Sequence, residues 1–153
     1  MPPRPIRIVV TALAVASSLA SFVLHAEPAH GGRWITESGN LEVEIAPCGD
    51  ALCGTVTRSL ANRSMRAGGQ EMAPADQRPA LGMVILTGLR DGGDDTLRGE
   101  IYNRENAKTY SVRLSMDGPQ QLLVRAYVGL PLFGKTQIWR RAEANAAAAE
   151  AKP

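Results

Sequence analysis

Residues 32–141 contain a series of short segments in which apolar and polar residues alternate, each followed by a turn signal or a short link. Alternation of this kind is the period of a β-strand with one buried face. Residues 41–45, Leu-Glu-Val-Glu-Ile, and residues 108–116 show it most clearly. No stretch of this region carries a convincing helical period. The pattern therefore predicts an all-β domain.

Eight strands are expected, and short antiparallel strands in succession favour an up-and-down barrel. A barrel of eight strands is either filled by its own side chains or holds one small ligand. One link, residues 61–80, is long, polar and rich in glycine and proline, and we expect it to cover one mouth of the barrel. The predicted strands are residues 32–36, 41–45, 54–60, 81–89, 96–102, 108–116, 121–128 and 135–141.

The first 26 residues have the features of a secretory signal peptide. Arg4 and Arg7 precede an apolar run over residues 8–24, and residues 24–26 form a cleavage site with a small last residue. The alternative is an uncleaved anchor, but the run is slightly short for a membrane-spanning helix. We therefore expect a periplasmic or secreted protein that is not integral to a membrane, with its barrel domain at residues 27–141. Residues 142–153 form an alanine-rich tail.

The charge balance changes when the signal is removed. The whole chain has 17 basic and 15 acidic residues, and Arg4 and Arg7 leave with the signal. The mature domain is then neutral, so its net charge gives no reason to expect affinity for nucleic acid or anionic lipid.

Cys48 and Cys53 are the two cysteines, with four residues between them. In an oxidising compartment such a pair bridges the neck of a hairpin. A redox dithiol or a metal pair is the alternative, but the spacing is not Cys-x-x-Cys and two cysteines need further metal ligands. We expect a structural disulfide and no metal site.

The residues do not suggest an enzyme. His25 leaves with the signal, and His30 lies in a lead-in, residues 27–31, that is expected to be exposed. Histidine-based nucleophile pairs and zinc sites are therefore not expected in the barrel. Glu42 and Glu44 share one strand face, which period 2 assigns to solvent. We predict no catalytic residue and no cofactor.

Several motifs resemble a bacterial family of small exported proteins of unknown function with a lipocalin-like barrel. They are Gly-Arg-Trp at 32–34, Ile-Ala-Pro-Cys at 45–48, Leu-Cys-Gly at 52–54, Gly-Glu-Ile-Tyr-Asn at 99–103, Lys-Thr-Tyr-Ser at 108–111 and the run at 127–140. The chain departs from the family at residues 73–77. The resemblance implies that Trp34 plugs one end of the barrel and that Arg140 or Arg141 packs across its ring. It carries no activity.

Two functions remain open from the sequence. One is a carrier or sensor that holds a small apolar or amphipathic molecule, and the other is an envelope interaction or maintenance module with a filled barrel. Arg125 and Tyr127 share a strand face and could bind a carboxylate if that face is inward, as in fatty-acid-binding barrels. Alternation favours the opposite arrangement, with Val124, Ala126 and Val128 inward.

Overall fold

In the computed structural model, which describes residues 28–66 and 70–142, eight antiparallel strands form a closed barrel in chain order. Each strand pairs with its neighbours in sequence, and β8 pairs with β1. The predicted fold is therefore confirmed, whereas the predicted signal peptide and residues 143–153 of the tail lie outside the described residues. The strands are β1 Gly32–Ile35, β2 Leu41–Cys48, β3 Ala51–Ser59, β4 Val84–Asp91, β5 Leu97–Asn103, β6 Lys108–Met116, β7 Gln121–Tyr127 and β8 Lys135–Arg141.

The core is formed by alternate residues of the strands, as period 2 requires. On β7, Leu122 and Val124 are buried, whereas Leu123 between them is partly exposed. Gly54 is needed for the approach of β3 to β4, because a Cβ there would lie 2.7 Å from the Leu86 side chain. The largest fully buried apolar side chains are Trp34, Trp139, Ile45, Leu86, Leu89, Leu114 and Leu122.

The fourth strand begins later than the alternation predicts. Residues 81–83 form a turn in which the Met83 amide donates to the Ala80 carbonyl at 2.9 Å. Gly82 has a φ of 80°, which residues other than glycine rarely adopt. The apolar run in the sequence does not show this turn, because it is set by the backbone and not by the side chains.

The residue predicted to plug one end of the barrel, Trp34, lies in β1, two residues after the start of the strand. The indole is completely buried, and its Nε1 donates to the His30 carbonyl at 3.0 Å. The Arg141 guanidinium lies 4.1 Å from the ring centroid, a cation–π distance. Of the two candidate arginines it is Arg141 that covers Trp34, while Arg140 is exposed.

Arg141 also ties the chain's lead-in to the plug, and the prediction that this segment is exposed holds for Pro28 and Ala29 but not for His30 and Gly31. Its guanidinium donates to the carbonyls of Ala29 and Gly31 at 3.1 and 3.0 Å. It also donates to Pro119, in the link between β6 and β7. His30 is consequently 8% exposed. A short polar segment gives no sign of burial in the sequence when its neighbours come from the far end of the chain.

The predicted disulfide joins Cys48 and Cys53 across the β2–β3 hairpin, with a Cα–Cα distance of 5.8 Å. Gly49 and Asp50 form the connection, and Gly49 has a φ of 70°. The bridge lies at the same end as Trp34, because the link between β2 and β3 and the start of β1 lie at the same end of the barrel. Plug, lead-in and disulfide together define the closed end of the barrel.

Glu42 was predicted to face solvent and is instead 1% exposed. Its carboxylate accepts from Thr57 Oγ1 at 3.1 Å and pairs with Arg33 and Arg58 at 3.4 and 3.3 Å. The strand pairing skips Thr57, so a bulge in β3 helps to crowd this group. Alternation gives the direction of a side chain but not whether neighbouring strands cover it.

Candidate functional site

A cavity of about 620 Å³ opens at the end of the barrel opposite Trp34. We call this end the mouth, and it carries four chain links. Because the strands alternate in direction, every second link lies at the same end. The links at the mouth are residues 36–40, the described residues 60–66 and 70–83, and residues 104–107 and 128–134. Residues 28–31, 49–50, 92–96 and 117–120 lie at the closed end.

The inner wall of the cavity is apolar. Leu41, Ile85, Ile101 and Ala126 line it from four different strands, together with Trp139 of β8. The Trp139 indole donates to the Gln137 side chain at 3.0 Å, so its polar edge is satisfied within the wall. The cavity therefore offers an apolar ligand surface without an unmatched indole donor.

The long segment before β4 supplies one side of the cavity because Asn40 and Glu105 hold it in place. The Asn40 amide donates to the Arg63 carbonyl at 2.7 Å and accepts from the Arg63 amide at 2.8 Å. The Glu105 carboxylate accepts from the Met65 amide at 3.2 Å and from the Ser64 hydroxyl. Met65 and Met72 are thereby brought into the lining. Methionine is a flexible apolar side chain that adapts to ligands of different shape.

Asp76 anchors the second half of this segment to β5. Its carboxylate accepts from the Tyr102 hydroxyl at 2.7 Å and from the Arg78 amide and Nε at 3.0 and 2.9 Å. The Arg78 guanidinium, with a smaller contribution from Tyr102, holds the pKa of Asp76 well below its usual value. The hydrogen bond from Tyr102 to the Asp76 carboxylate also raises the pKa of Tyr102. The carboxylate is thus a structural anion beside the cavity and does not line it.

Three cationic side chains line the rim, and they are Arg66, Arg104 and Lys135. Among the residues that the structure describes, none of them forms an ion pair. Arg104 donates only to the carbonyls of Asp76 and Arg78, at 3.3 and 2.8 Å, so its charge is not neutralised. Its Nε is buried without a hydrogen-bond partner in the described chain. Glu105 is the acidic residue in the lining, so the rim has a net positive charge.

Arg125 and Tyr127 do not line the cavity, so the structure does not support the inward arrangement considered for them. Val124 is buried and Ala126 lines the cavity, whereas Val128, which alternation also placed inward, lies beyond the end of β7 and is 74% exposed. The Arg125 guanidinium donates to the carbonyls of Pro131 and Leu132 and to the Thr136 hydroxyl. These groups lie on the corner between β7 and β8 and on β8 itself, so Arg125 supports the corner from outside the cavity.

Residues 28–66 and 70–142 lack two further kinds of feature. This part of the chain has no helix long and apolar enough to cross a membrane. It also contains no group of three or more histidine, cysteine or acidic side chains placed to hold a metal ion.

The fold and the cavity define a small lipocalin-like barrel, closed at one end by a tryptophan–arginine pair and open at the other. Residues 32–141 match the family described as "Uncharacterized protein conserved in bacteria (DUF2147)", and the chain belongs to that family. No curated protein matches the chain. Among solved structures, the barrel is similar to protein HP1028 from the human pathogen Helicobacter pylori, which is described as belonging to the lipocalin family. That match has a TM-score of 0.57 and 19% identity, and it covers 78% of this chain and 86% of the other, so it shows a shared fold.

The sequence contained one signal for the rim that alternation could have revealed. Lys135, Gln137 and Trp139 recur at every second residue of the closing strand, which places them on one face. All three line the cavity. Arg66 and Arg104 lie in links, and no periodicity predicts the direction of a side chain there.

Proposed function

We propose that this protein binds a small amphipathic molecule in the mouth of the barrel, with the apolar part inside and an anionic group at the rim. The observation that carries the proposal is a cavity of about 620 Å³ with an apolar inner wall and three unpaired cations at its opening, counted within the described chain. Small-molecule sites typically have volumes of about 300–1,000 Å³ and combine an apolar lining with a few polar groups.

The depth of the cavity suits a ligand with two chemically different ends. Lys135 and Trp139 lie on the same face of β8, four residues apart. This spacing corresponds to about 13 Å along a strand. An apolar chain can therefore contact Trp139, Ile101 and Ile85 while its charged end remains near Lys135. Long-chain carboxylates and lipid-like phosphates have this form.

The rim favours an anion because its positive charge has no internal partner in the described structure. Arginine binds carboxylate or phosphate through two parallel hydrogen bonds, and lysine acts as a point charge. Glu105, which would repel such a group, is engaged by Ser64 and Met65. The rim thus presents cations to the cavity, while its carboxylate accepts hydrogen bonds from the Ser64 hydroxyl and the Met65 amide.

The alternative function, an interaction or maintenance module with a filled barrel, fits this interior less well. The cavity is large, and the segment that covers the mouth lines it instead of filling it. Binding is also favoured over catalysis. His30 lies at the closed end, and Asp76 is held by Arg78 and Tyr102 beside the cavity.

We further propose that residues 1–26 direct export and that the mature barrel acts in the periplasm or outside the cell. The disulfide between Cys48 and Cys53 is consistent with an oxidising, extracytoplasmic compartment. Mass spectrometry of the exported protein would show whether its chain starts near Glu27.

Displacement of a dansyl-labelled fatty acid by unlabelled laurate tests the proposed site. Ala126→Phe adds an aromatic ring on the cavity wall and should weaken binding by at least about tenfold, because the added ring occupies ligand space. Ala46→Phe makes the same change on an exposed outer position of β2 and should bind as wild type does. Equal binding by both variants, or no binding of the probe by wild type, would contradict the cavity as the site.

Lys135→Ala tests the charged end separately. It should weaken laurate binding about fivefold, the size of a solvent-exposed ion pair, and leave dodecanol binding unchanged. The two ligands have the same chain and differ in charge. An equal effect on both would show that the cavity binds apolar molecules without recognising an anion.

A further inference from the structure

The corner between β7 and β8 exposes four large apolar side chains that the binding site does not use. Val128, Leu130, Leu132 and Phe133 are 62–79% exposed. They lie within six consecutive residues of the mouth, and none of them lines the cavity. Among the described residues, no large exposed apolar side chain lies in the links of the closed end. We propose that this corner docks the mouth of the barrel on an anionic lipid surface.

The corner is held in shape, which makes insertion of its side chains less costly. Residues Pro131–Phe133 form a 3₁₀-helical turn, and the Gly134 amide donates to the Pro131 carbonyl at 3.0 Å. The Arg125 guanidinium of β7 donates to the Pro131 and Leu132 carbonyls of the corner. The apolar side chains therefore point away from a fixed backbone, and little conformational entropy is lost when they enter a membrane interface.

The charges of the two ends favour a negative surface at the mouth. With the links and the terminal residue of each strand counted, the mouth carries six basic and four acidic residues, and the closed end carries one basic and five acidic residues. Four further arginines, Arg33, Arg90, Arg98 and Arg140, lie one residue further into the strands at the closed end, and Arg90 pairs with Asp50 at 2.8 Å. The basic residues of the mouth are Arg63, Arg66, Arg78, Arg104, Lys108 and Lys135, and its acidic residues are Glu37, Glu71, Asp76 and Glu105. The closed end has Arg141 with Asp50, Asp91, Asp94, Asp95 and Asp117.

The neutral net charge expected from the sequence therefore includes a small excess of positive charge at the mouth, to which Arg66, Arg104 and Lys135 of the rim contribute. The two ends lie about 20 Å apart, as the seven to nine residues of the tilted strands β2 to β8 require. This distance exceeds the Debye length of about 8 Å at physiological salt. A surface near the mouth thus experiences the excess positive charge of the mouth, and the charges of the closed end are screened from it.

A lipid surface fits the corner better than a protein groove does. The apolar side chains are exposed on and just before a 3₁₀ turn, with Lys135 two residues beyond Phe133. Apolar groups that enter the acyl boundary beside cations that contact head groups are the features of an interfacial anchor. Docking in this orientation would bring the cavity opening to the surface from which an amphipathic ligand can enter. The docking itself does not depend on the ligand proposal.

Co-sedimentation with vesicles tests the docking. The unliganded full mature protein should bind vesicles of phosphatidylcholine with phosphatidylglycerol at least about tenfold more tightly than vesicles of phosphatidylcholine alone. Leu132→Ser and Phe133→Ser should each lower partitioning about tenfold, because each removes a large apolar side chain from the interface. Leu81→Ser is the matched control, since Leu81 is 64% exposed at the mouth but across the barrel from the corner. It should bind as wild type does.

Absence of vesicle binding by wild type would overturn the proposal, and so would an equal loss in Leu81→Ser. A wild-type dimer in sedimentation that Phe133→Ser dissociates, without vesicle binding, would assign the corner to a second copy of this chain instead. Leu132→Ser and Phe133→Ser should still bind laurate in the displacement assay, because neither residue lines the cavity. Failure of docking and failure of ligand binding are therefore separate results.

Discussion

The two ends of this barrel use the same strands in different ways. At the closed end, Trp34 fills the interior, Arg141 covers its ring, and the disulfide fixes the adjacent hairpin. At the mouth, the inner wall stops short of filling the barrel, and cations and apolar side chains remain exposed. We therefore expect stability to be concentrated at the closed end, which would leave the mouth free to hold the ligand that we propose.

Replacement of the plug should have the largest effect on stability. Trp34→Ala should lower the free energy of unfolding by about 3–5 kcal/mol, because it removes a fully buried aromatic side chain and leaves a cavity. Met65→Ala at the mouth should cost much less, since Met65 is partly exposed. Urea denaturation measures both. A loss below about 1 kcal/mol for Trp34→Ala would show that the closed end is not where the barrel is held together.

Arg141 and Arg140 form the next comparison. Arg141→Ala should cost about 2 kcal/mol, because it removes the cation–π contact and charged hydrogen bonds to three carbonyls. Arg140→Ala, the adjacent substitution at an exposed position, should stay within about 0.5 kcal/mol of wild type. Thermal or urea unfolding distinguishes the two. Equal losses would mean that charge alone, and not the position over Trp34, supports the closed end.

Acid titration should give the smallest effects on stability. It should still distinguish the two ends, because His30 lies at the closed end and Asp76 lies beside the cavity. Burial lowers the pKa of His30 below its ordinary 6.5, against an opposing effect of Asp95. Unfolding lets this imidazole take up a proton more readily, so its contribution is complete above pH 6.5 and declines as the pH falls below that value. Asp76, whose pKa is lowered by Arg78 and then Tyr102, contributes above its ordinary 3.8 and loses that contribution at lower pH.

His30→Gln should therefore flatten the dependence of stability on pH just below 6.5, while Asp76→Asn should flatten it below 3.8. The measurement is the free energy of unfolding in urea across a series of buffers. Indistinguishable pH profiles for wild type and His30→Gln would show that the lead-in is not held against the plug in solution.

The sequence predicted most of the closed end and little of the mouth, for a physical reason. Strand order, the disulfide and the Trp34 plug follow from alternation, compartment and a family resemblance, all of which are carried by short stretches of sequence. Glu42 was assigned to solvent because alternation cannot show that Arg33 and Arg58 would cover it. The position of Arg104 depends on how a long segment folds back on β5, which no local pattern encodes.

Arg125 illustrates the same limit on a strand. Alternation favoured an outward direction for its side chain. The structural role of Arg125 could not be predicted, because it depends on how the corner after β7 folds. Its partners, the carbonyls of Pro131 and Leu132, are backbone groups whose position only the folded turn defines. A side chain considered for ligand binding therefore supports the surface that we propose to contact lipid.

The most direct test of the account uses the two tryptophans as reporters of the two ends. Trp139 lines the cavity and Trp34 does not. A fatty acid brominated on its chain should quench the fluorescence of wild type and of Trp34→Phe saturably, because the bromine contacts Trp139. In Trp139→Phe, the remaining emission of Trp34 should be little affected. Equal quenching in the two variants, or no saturable quenching in wild type, would contradict a ligand site in the mouth of the barrel.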